Sequence, residues 1–480
     1  MSPPNGLKPK ITTLLVDLGG VFFHPEVETK LATAESTVSL RRLMTTSIWM
    51  NYEVGKLNED ECFAQLAKLY RFATEDLANL IQKFRGSVNY DRDLAAAFRA
   101  IRRTSQVRIF LVSNISSNDY QALRERWDDE FWSLFDDVFT SSMLGVRKPS
   151  PRFYTHVLRA TRSNPQTIFT IDDNPENVLM AISVGMRGTS CIADLPRTLA
   201  NITSDPVERG IAFLKRNAGR FPSVTQDGAE IEENYAPLLI LEALQQRSLV
   251  DLKFPPRLWN FFSGPPRYTT ETYPEDLDTT SLGLAAMSYD PDLAHSILDE
   301  MLTYVDEDGF VQAYTDRTRP RIDAVISLNV LVAFTLYNRT YELPETLAWI
   351  TSILLTRAYI GGTRYYPNAE WFLYYVTRLL AASEGHDAAL DERLFAPLRV
   401  RVAERVGAPG DAFALGMRIA ACEYVGVECA VDREALAAMQ MEDGGWPASC
   451  MYLFPGAARD VGNRGASTAF AVRALGGRAS

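Results

Sequence analysis

The sequence predicts an α/β domain in the N-terminal half of the chain and an all-α domain in the C-terminal half. In the first half, three short apolar segments rich in β-branched residues end in polar side chains, at residues 11–17, 108–114 and 167–173. Helical segments separate them, and this alternation is typical of a doubly wound sheet of parallel strands. Beyond about residue 200 the strand pattern stops, and nearly every segment from Tyr235 onward has helical spacing.

The composition is that of a globular protein with sizeable cores. The chain has 480 residues, of which 46% are hydrophobic, so two or three domains are expected. A net charge of −11 argues against nucleic acid or an anionic membrane surface as the main partner. The cysteines form no CxxC pair, so we expect neither a zinc site nor a disulfide framework. Without an apolar leader or a membrane span, we expect a cytoplasmic protein with a small-molecule substrate, which could form an oligomer.

The three predicted strands place chemically active side chains at one edge of the sheet. The first delivers Asp17, the second Ser113 and Asn114, and the third Asp172 and Asp173. Chemistry in parallel α/β sheets collects where the strands end at their carboxyl edge, so these side chains should lie close together.

An insertion of mainly amphipathic helices, at about residues 26–100, separates the first two strands and would roof this edge. Four motifs then appear in order along the chain: Asp17-Leu-Gly-Gly-Val, Ser113-Asn114, Lys148-Pro149 and Asp172-Asp173-Asn-Pro-Glu-Asn177. Over about residues 11–200 the chain therefore resembles the haloacid dehalogenase-like superfamily, whose members are mostly phosphatases. The resemblance implies a Rossmann-like domain with a helical cap.

The resemblance also implies a role for each motif. Asp17 would attack phosphorus as a nucleophile, and Ser113, Asn114 and Lys148 would hold the phosphoryl oxygens. The implied cofactor is Mg²⁺, a hard ion that prefers oxygen ligands. Its ligands would be the side chains of Asp17, Asp172 and Asp173 and the backbone carbonyl of Gly19.

Gly19 departs from the pattern of this superfamily. Its members usually carry a second Asp two positions after the nucleophile, which protonates the leaving group. That loss matters least when the leaving group is itself a phosphate. We therefore hypothesise that this half best removes the terminal phosphate of a diphosphate. The Asp172-Asp-Asn-Pro-Glu176 segment also fits the DDxxE pattern of ionising terpene synthases, but those motifs lie on a helix, whereas this one follows a predicted strand.

The polar, breaker-rich segment 219–228 places the domain boundary near residue 225, giving domains of 1–225 and 226–480. Helices are predicted at 237–246, 291–304, 324–337, 344–358, 370–382, 391–406 and 411–425. They are joined by short turns without a clean repeat, which favours an α/α toroid or bundle over a tandem array.

Two motifs mark the second half. Asp276-Leu-Asp-Thr-Thr280 places two carboxylates at a predicted helix start, where by itself it would be read as a helix cap. Gln440-Met-Glu-Asp-Gly-Gly-Trp446 fits the QxxDGxW pattern of triterpene-cyclase-type α/α barrels, in which it ties helix ends together. Together they resemble a class II terpene cyclase. With the phosphatase-like half, the chain resembles the fused drimane-type sesquiterpene cyclases, which convert farnesyl diphosphate to drimenyl or albicanyl phosphates and alcohols.

That resemblance implies that Asp278 protonates an alkene. Burial and a like charge at Asp276 would keep Asp278 protonated near neutral pH. Asn329 is the candidate donor to the carboxylate left behind, although an ordinary asparagine in a helix interior fits the sequence equally well. Aromatic side chains would line the cavity and stabilise the cation through their π faces. A few of the following candidates would do so, and most would be core: Trp259, Phe261, Phe262, Tyr289, Phe310, Tyr314, Tyr365, Tyr366, Trp371 and Phe372.

The substrate diphosphate needs a basic site. The dense basic turn from Thr315 contains Arg317, Arg319 and Arg321, and guanidinium groups suit phosphate. A solvated loop is the alternative reading of this turn, and Arg364 is a weaker candidate.

Three readings of the whole chain remain open. The first is a bifunctional enzyme that cyclises farnesyl diphosphate and then removes phosphate from the product. The second is a cyclase whose phosphatase-like half is a scaffold, which the glycine at position 19 favours. The third is a phosphatase with a prenyl-binding helical module, which the intact Asp276 and Asp278 pair disfavours because a binding module needs no acid.

Overall fold

The computed structural model describes residues 9–23, 30–32, 37–384, 386–456 and 458–477, and it divides into two compact units. One unit ends at Ser204 and the other begins at Asp205. This division falls before the boundary expected near residue 225, because the helix Pro206–Arg216 buries Phe213 and Leu214 in the core of the second unit. No helix within the described ranges is long and apolar enough to cross a bilayer.

The first unit is built on a five-stranded parallel sheet. In spatial order its strands are Asp137–Thr140, Arg108–Ser113, Thr13–Val16, Ile168–Ile171 and Arg187–Thr189. The three strands predicted from the sequence are confirmed and are the three central ones. Every residue of Thr13–Val16 is buried, so the residue that follows it, Asp17, lies at the middle of the carboxyl edge.

Helices flank the sheet and form the insertion. They are Leu40–Met44, Ser47–Glu53, Glu59–Tyr70, Thr74–Ser87, Arg92–Thr104, Ser117–Arg126, Asp129–Trp132, Ser141–Leu144, Pro151–Thr161, Pro175–Ser183 and Leu195–Thr203. The insertion is mainly helical as predicted, and it also contains an unpredicted hairpin of Lys30–Ala32 with Thr37–Ser39. Its segments 24–29 and 33–36 lie outside the described residues. Trp49, Leu66 and Leu77 give it a core of its own.

The second unit is an α/α barrel, as expected. Its helices are Pro206–Arg216, Tyr235–Leu244, Leu277–Ala286, Pro291–Leu302, Ala324–Leu336, Pro344–Thr356, Ala369–Ser383, Ala388–Ala403, Ala412–Val425, Ala430–Ala438 and Arg464–Gly476. Those starting at 235, 277, 324, 369, 412 and 464 pack side by side in a closed inner ring. Inner helices such as Ala324–Leu336 are buried on nearly all sides, as expected of helices without a solvent face.

A four-stranded antiparallel sheet joins this barrel, which the sequence did not predict. Its strands in spatial order are Ser449–Phe454, Arg459–Asn463, Ser223–Thr225 and Glu230–Ile231. The expectation that strands end near residue 200 is therefore wrong. The polar segment 219–228, read as a linker, supplies one of these short strands. Its partner lies far along the chain, since Thr225 pairs with Val461, so no local pattern reveals the pairing.

Candidate active sites

The predicted carboxyl-edge residues of the first unit meet around a buried lysine. The ammonium nitrogen of Lys148 lies 2.9 Å from Asp17 Oδ1 and 2.7 Å from Asp172 Oδ2, and it also donates to the carbonyl of Val112 at 3.1 Å. Burial raises the pKa of Asp17, and the positive charge of Lys148 opposes that rise. The arrangement is a pair of carboxylates neutralised by one cation in a buried site.

Asn114 positions the backbone of Lys148. Its amide accepts from the backbone N–H of Lys148 at 2.9 Å and donates to the carbonyl of Lys148 at 3.0 Å. The expectation that Asn114 binds phosphate stays a prediction, since the amide NH₂ group has a second proton to donate. Ser113 is buried at the end of its strand, next to this clamp. Asn177, the last residue of the fourth motif, was assigned no role from the sequence, and it donates to both oxygens of Asp172, at 2.9 and 3.1 Å.

The same edge has the donor chemistry of a divalent-cation site. Asp17, Asp172 and Asp173 each offer a carboxylate oxygen, and these oxygens lie within 4.8 Å of one another. An all-oxygen set of carboxylates fits Mg²⁺. Gly19 offers only its backbone here, so the position of the usual second acid carries no side chain.

A buried ion pair connects the insertion to this site. Arg147, the neighbour of Lys148, donates to Glu53 Oε2 at 2.9 Å. Burial raises the pKa of Glu53 to about 7, against the opposing charge of Arg147. Ser141 also donates to the carbonyl of Glu53 at 2.7 Å and accepts from the N–H of Ile115 at 2.9 Å. No sequence motif pointed to this contact, because Glu53 lies in an ordinary amphipathic helix.

In the second unit, the paired carboxylates stand at a helix start and inside a cavity. Asp276 is the N-cap of Leu277–Ala286, and its Oδ1 accepts from the N–H of Thr279 at 2.6 Å. Asp278 lies in the first turn of that helix. The prediction of a helix cap is confirmed, and the cap orients both carboxylates toward the cavity that they line.

Both oxygens of Asp278 accept hydrogen bonds from buried side chains. Asn329 donates to Oδ1 at 2.8 Å and to the backbone carbonyl of Asp278 at 2.9 Å. The hydroxyl of Tyr366 donates to Oδ2. Arg378 donates to the amide oxygen of Asn329 at 3.0 Å, which holds the amide with its NH₂ group toward Asp278. The predicted contact of Asn329 is confirmed, whereas those of Tyr366 and Arg378 were missed.

Burial favours the protonated form of both carboxyls. Burial, followed by the nearby Asp278, raises the pKa of Asp276 to about 8. Burial raises the pKa of Asp278 to about 6, and the hydrogen bonds from Tyr366 and Asn329 limit that rise. Asp276 and Asp278 are neighbouring buried carboxyls that titrate as a coupled pair, and the role of Asp276 in keeping Asp278 protonated stays a prediction. The nearby charge that favours the protonated form of Asp278 is that of Asp323.

Both carboxylates line a cavity of about 360 Å³. The aromatic residues of its wall are Tyr235, Phe261, Tyr268, Tyr273, Tyr314, Tyr365, Tyr366, Tyr452 and Phe454. The sequence reasoning named Phe261, Tyr314, Tyr365 and Tyr366 among its candidates. It missed those contributed by the unpredicted sheet, such as Tyr452 and Phe454. Trp259 and Trp371, also candidates, are core residues.

Two of the three predicted arginines reach this cavity. Arg319 and Arg321 line it, together with the weaker candidate Arg364. Arg317 is not among the described residues that line it. Its guanidinium donates to the carbonyl of Thr303 at 2.7 Å and lies 6.0 Å from the ring centroid of Tyr304. The expectation that Arg317 binds phosphate is therefore not supported, because its donors turn toward a different segment.

The glutamine-tryptophan motif has the structural role expected of it. Gln440 donates to the carbonyl of Pro206 at 2.8 Å, and Trp446 donates through its indole nitrogen to the carbonyl of Leu436 at 2.7 Å. Asp443 pairs with Arg464 at 2.9 Å. The motif thus joins three helices of the barrel.

Comparison with known proteins covers both units. Residues 11–185 match the haloacid dehalogenase-like hydrolases, and residues 207–337 match the sesquiterpene cyclase astC-like C-terminal domain. Drimenol cyclase drtB from Aspergillus calidoustus is 40% identical over 97% of this chain and 88% of its own length. This chain belongs to the drimenol cyclase family. The chain is also 30% identical to the sesquiterpene phosphatase astK of Aspergillus oryzae, over 36% of this chain and 86% of that protein.

Among solved structures, a haloacid dehalogenase family enzyme from Bacteroides thetaiotaomicron, crystallised with magnesium and inorganic phosphate, is 16% identical. It covers 38% of this chain and 93% of its own, with a TM-score of 0.31. Family membership therefore rests on the sequence relatives and on the matches of this chain to a hydrolase domain and a cyclase domain.

Proposed function

We propose that this member of the drimenol cyclase family is a bifunctional sesquiterpene synthase. The barrel cyclises farnesyl diphosphate to a bicyclic drimane-type diphosphate, and the hydrolase domain then removes phosphate. The observation that carries the proposal is a buried carboxyl, Asp278, held by Asn329 and Tyr366 at the wall of a cavity lined by aromatic rings and arginines.

Asp278 is the proton donor in this proposal. A strong acid is one whose conjugate base is stabilised, and the donors Asn329 and Tyr366 are already aimed at the oxygens that become negative. With a pKa of about 6, Asp278 is protonated in roughly a tenth of molecules at pH 7. A bound prenyl chain excludes water from the cavity and raises that fraction. The tyrosine and phenylalanine faces of the wall stabilise the cation that follows.

The diphosphate stays intact during this step. Arg319, Arg321 and Arg364 line the same cavity and would hold its oxygens. No aspartate-rich motif for metal-assisted ionisation faces this cavity among the described lining residues. Holding the diphosphate through guanidinium groups favours protonation at the alkene over loss of the diphosphate.

Dephosphorylation belongs to the Asp17 site. A carboxylate oxygen of Asp17 attacks the terminal phosphorus, the bond to the leaving oxygen breaks, and water later releases the phosphate from the aspartate. Lys148 balances charge at the attacking carboxylate, and Asn114 fixes its backbone. Mg²⁺ held by Asp17, Asp172, Asp173 and the carbonyl of Gly19 would neutralise the phosphoryl oxygens. Without an acid at position 19, a leaving group that is itself a phosphate is favoured.

The test is incubation of the purified protein with farnesyl diphosphate and Mg²⁺, with mass analysis of products before and after added phosphatase. We expect a bicyclic monophosphate or alcohol without added phosphatase. Asp278→Asn should abolish cyclic products and retain phosphate release, and Asp17→Asn should do the reverse. Unchanged phosphate release in Asp17→Asn would favour a scaffold role for the hydrolase domain. Persistent cyclisation in Asp278→Asn would refute the assignment of the acid.

A further inference from the structure

A proton-donating cyclase must reload its acid after each turnover. Asp278 loses a proton to the alkene, and the final cation loses its proton from a different carbon of the product. The donor is buried, with 8% of its surface exposed, and bound substrate or product covers its cavity face. A route for protons that avoids the cavity would let the acid recover independently of product release.

Three buried tyrosine hydroxyls run from Asp278 into the barrel interior. The first, Tyr366, contacts Asp278 Oδ2. The hydroxyl oxygens of Tyr366 and Tyr235 are 2.7 Å apart, and those of Tyr235 and Tyr375 are 2.6 Å apart. All three side chains are almost fully buried, at 2%, 2% and 0% exposure respectively. Each hydroxyl has one proton to give and can accept another, so the three form a continuous donor-acceptor chain.

The far end of the chain reaches a charged pair. The guanidinium of Arg378 lies 4.5 Å from the ring centroid of Tyr375 and forms an ion pair with Glu242. The charge of Glu242 acts on Tyr375, and its side chain retains 14% exposure. Glu242 Oε2 is buried and has no hydrogen-bond partner among the described residues. Arg378 also lines a second cavity of about 70 Å³, together with Tyr374 and Arg473. That volume accommodates a few water molecules.

We infer that Tyr366, Tyr235 and Tyr375 form a relay that returns a proton to Asp278 from water at the Glu242 and Arg378 end. This inference rests on the proposed role of Asp278 as the donor. When Asp278 is a carboxylate, Tyr366 passes its proton to Oδ2 and receives one from Tyr235. Tyr235 receives one from Tyr375, and Tyr375 receives one from water. One proton enters, one reaches Asp278, and each tyrosine ends neutral.

The three tyrosines have different relations to the acid. Tyr366 touches Asp278 and so affects its acidity as well as its reloading. Tyr375 is two hydroxyls away, and it is not among the described residues that line the main cavity. Tyr375→Phe therefore removes the entry step while leaving both hydrogen bonds to Asp278 in place. The substitution should therefore slow cyclisation only after the first turnover.

The experiment compares single and multiple turnovers in the full-length protein with farnesyl diphosphate. Enzyme equilibrated at low pH, with Asp278 protonated, is mixed with limiting or excess substrate. For Tyr375→Phe we expect a first turnover close to that of the unmodified protein. We expect its later turnovers to be slower by on the order of tenfold or more. Tyr235→Phe, which interrupts the same chain, should show the same split if Tyr375→Phe folds poorly.

Tyr374→Phe is the matched control. Its side chain is equally buried, but its hydroxyl accepts from Arg473 at 2.8 Å and takes no part in the chain. We expect equal first and later turnovers for this variant. If Tyr375→Phe slowed the first and the later turnovers equally, Tyr375 would have a structural role and the relay would be overturned. If the substitution slowed neither, the relay would be overturned as well. Cyclisation by the Asp278→Asn variant would instead refute the role of Asp278 as the proton donor, and that outcome is distinguishable from failure of the relay.

Discussion

Replacing Tyr366 with phenylalanine should make Asp278 a weaker acid. The ring remains to fill its buried site, and only the hydroxyl that donates to Asp278 Oδ2 is removed. A hydrogen bond to a charged group contributes about 1.5–3 kcal/mol. At 1.36 kcal/mol per pKa unit, its loss raises the pKa of Asp278 by about one to two units. The starting pKa is about 6, so the variant should titrate between about 7 and 8.

The sign of the effect follows from which form is active. The protonated carboxyl donates, so the rate falls as pH rises through the pKa of Asp278. In Tyr366→Phe the alkaline limb should move up by about one to two pH units. The low-pH plateau should fall, because a weaker acid protonates an alkene more slowly. The difference in cyclisation rate between the variant and the unmodified protein should therefore become smaller as pH rises.

The assay is the single-turnover rate of bicyclic product formation between about pH 5 and 9, since single turnovers exclude any effect on reloading. Tyr374→Phe again serves as the control, because its hydroxyl does not contact Asp278. An alkaline limb that stays in place, or moves to lower pH, would contradict the view that Tyr366 stabilises the carboxylate form.

Three further results are expected. Arg321→Gln should raise the KM for farnesyl diphosphate by about tenfold or more, whereas Arg317→Gln, whose guanidinium contacts Thr303, should leave it unchanged; steady-state kinetics would show it. Asp276→Asn should gain thermal stability over the unmodified protein as pH rises from 5 to 9. The folded pKa of Asp276 is raised from 3.8 to about 8, so Asp276 stabilises the fold at low pH and loses that contribution, on the order of a few kcal/mol, as pH rises through about 8. Melting temperatures of both proteins across this pH range would test the prediction, and a constant difference between them would contradict it. Gly19→Asp should increase phosphate release from a prenyl monophosphate relative to a diphosphate, and an unchanged ratio would oppose the explanation offered for the glycine.

Local patterns predicted the first unit well because each signal lies within a few residues. The apolar strands that lead to Asp17 and to Ser113 are short, and their residues are buried apart from Arg108, so the sequence indicates both the strand and its end. The same reasoning could not assign Asn114. Whether an amide next to a catalytic serine faces phosphate or a backbone depends on the loop that carries Lys148, which lies 34 positions away.

In the second unit, helix positions were predicted closely because each helix carries its own caps and buried faces. The predicted helix at 411–425 is observed as Ala412–Val425, with Asp411 as its N-cap. The sheet was missed because its strands are short and pair across the chain. No local sequence pattern therefore predicted that Phe454 and Tyr452 of this sheet line the cavity.

The sequence by itself determined the two domains and the carboxylates Asp17 and Asp278, because residue type and spacing carry that information. It left Asn329 as a candidate partner of Asp278, which the structure confirms. Only the tertiary structure decided how tightly each carboxyl holds its proton, which arginines reach the cavity, and that three tyrosines line up behind the acid. Those properties depend on burial and on contacts such as Tyr235 with Tyr375, which are 140 positions apart. Proton affinity and hydrogen-bond continuity are set by distance in space, and a one-dimensional pattern does not record that distance.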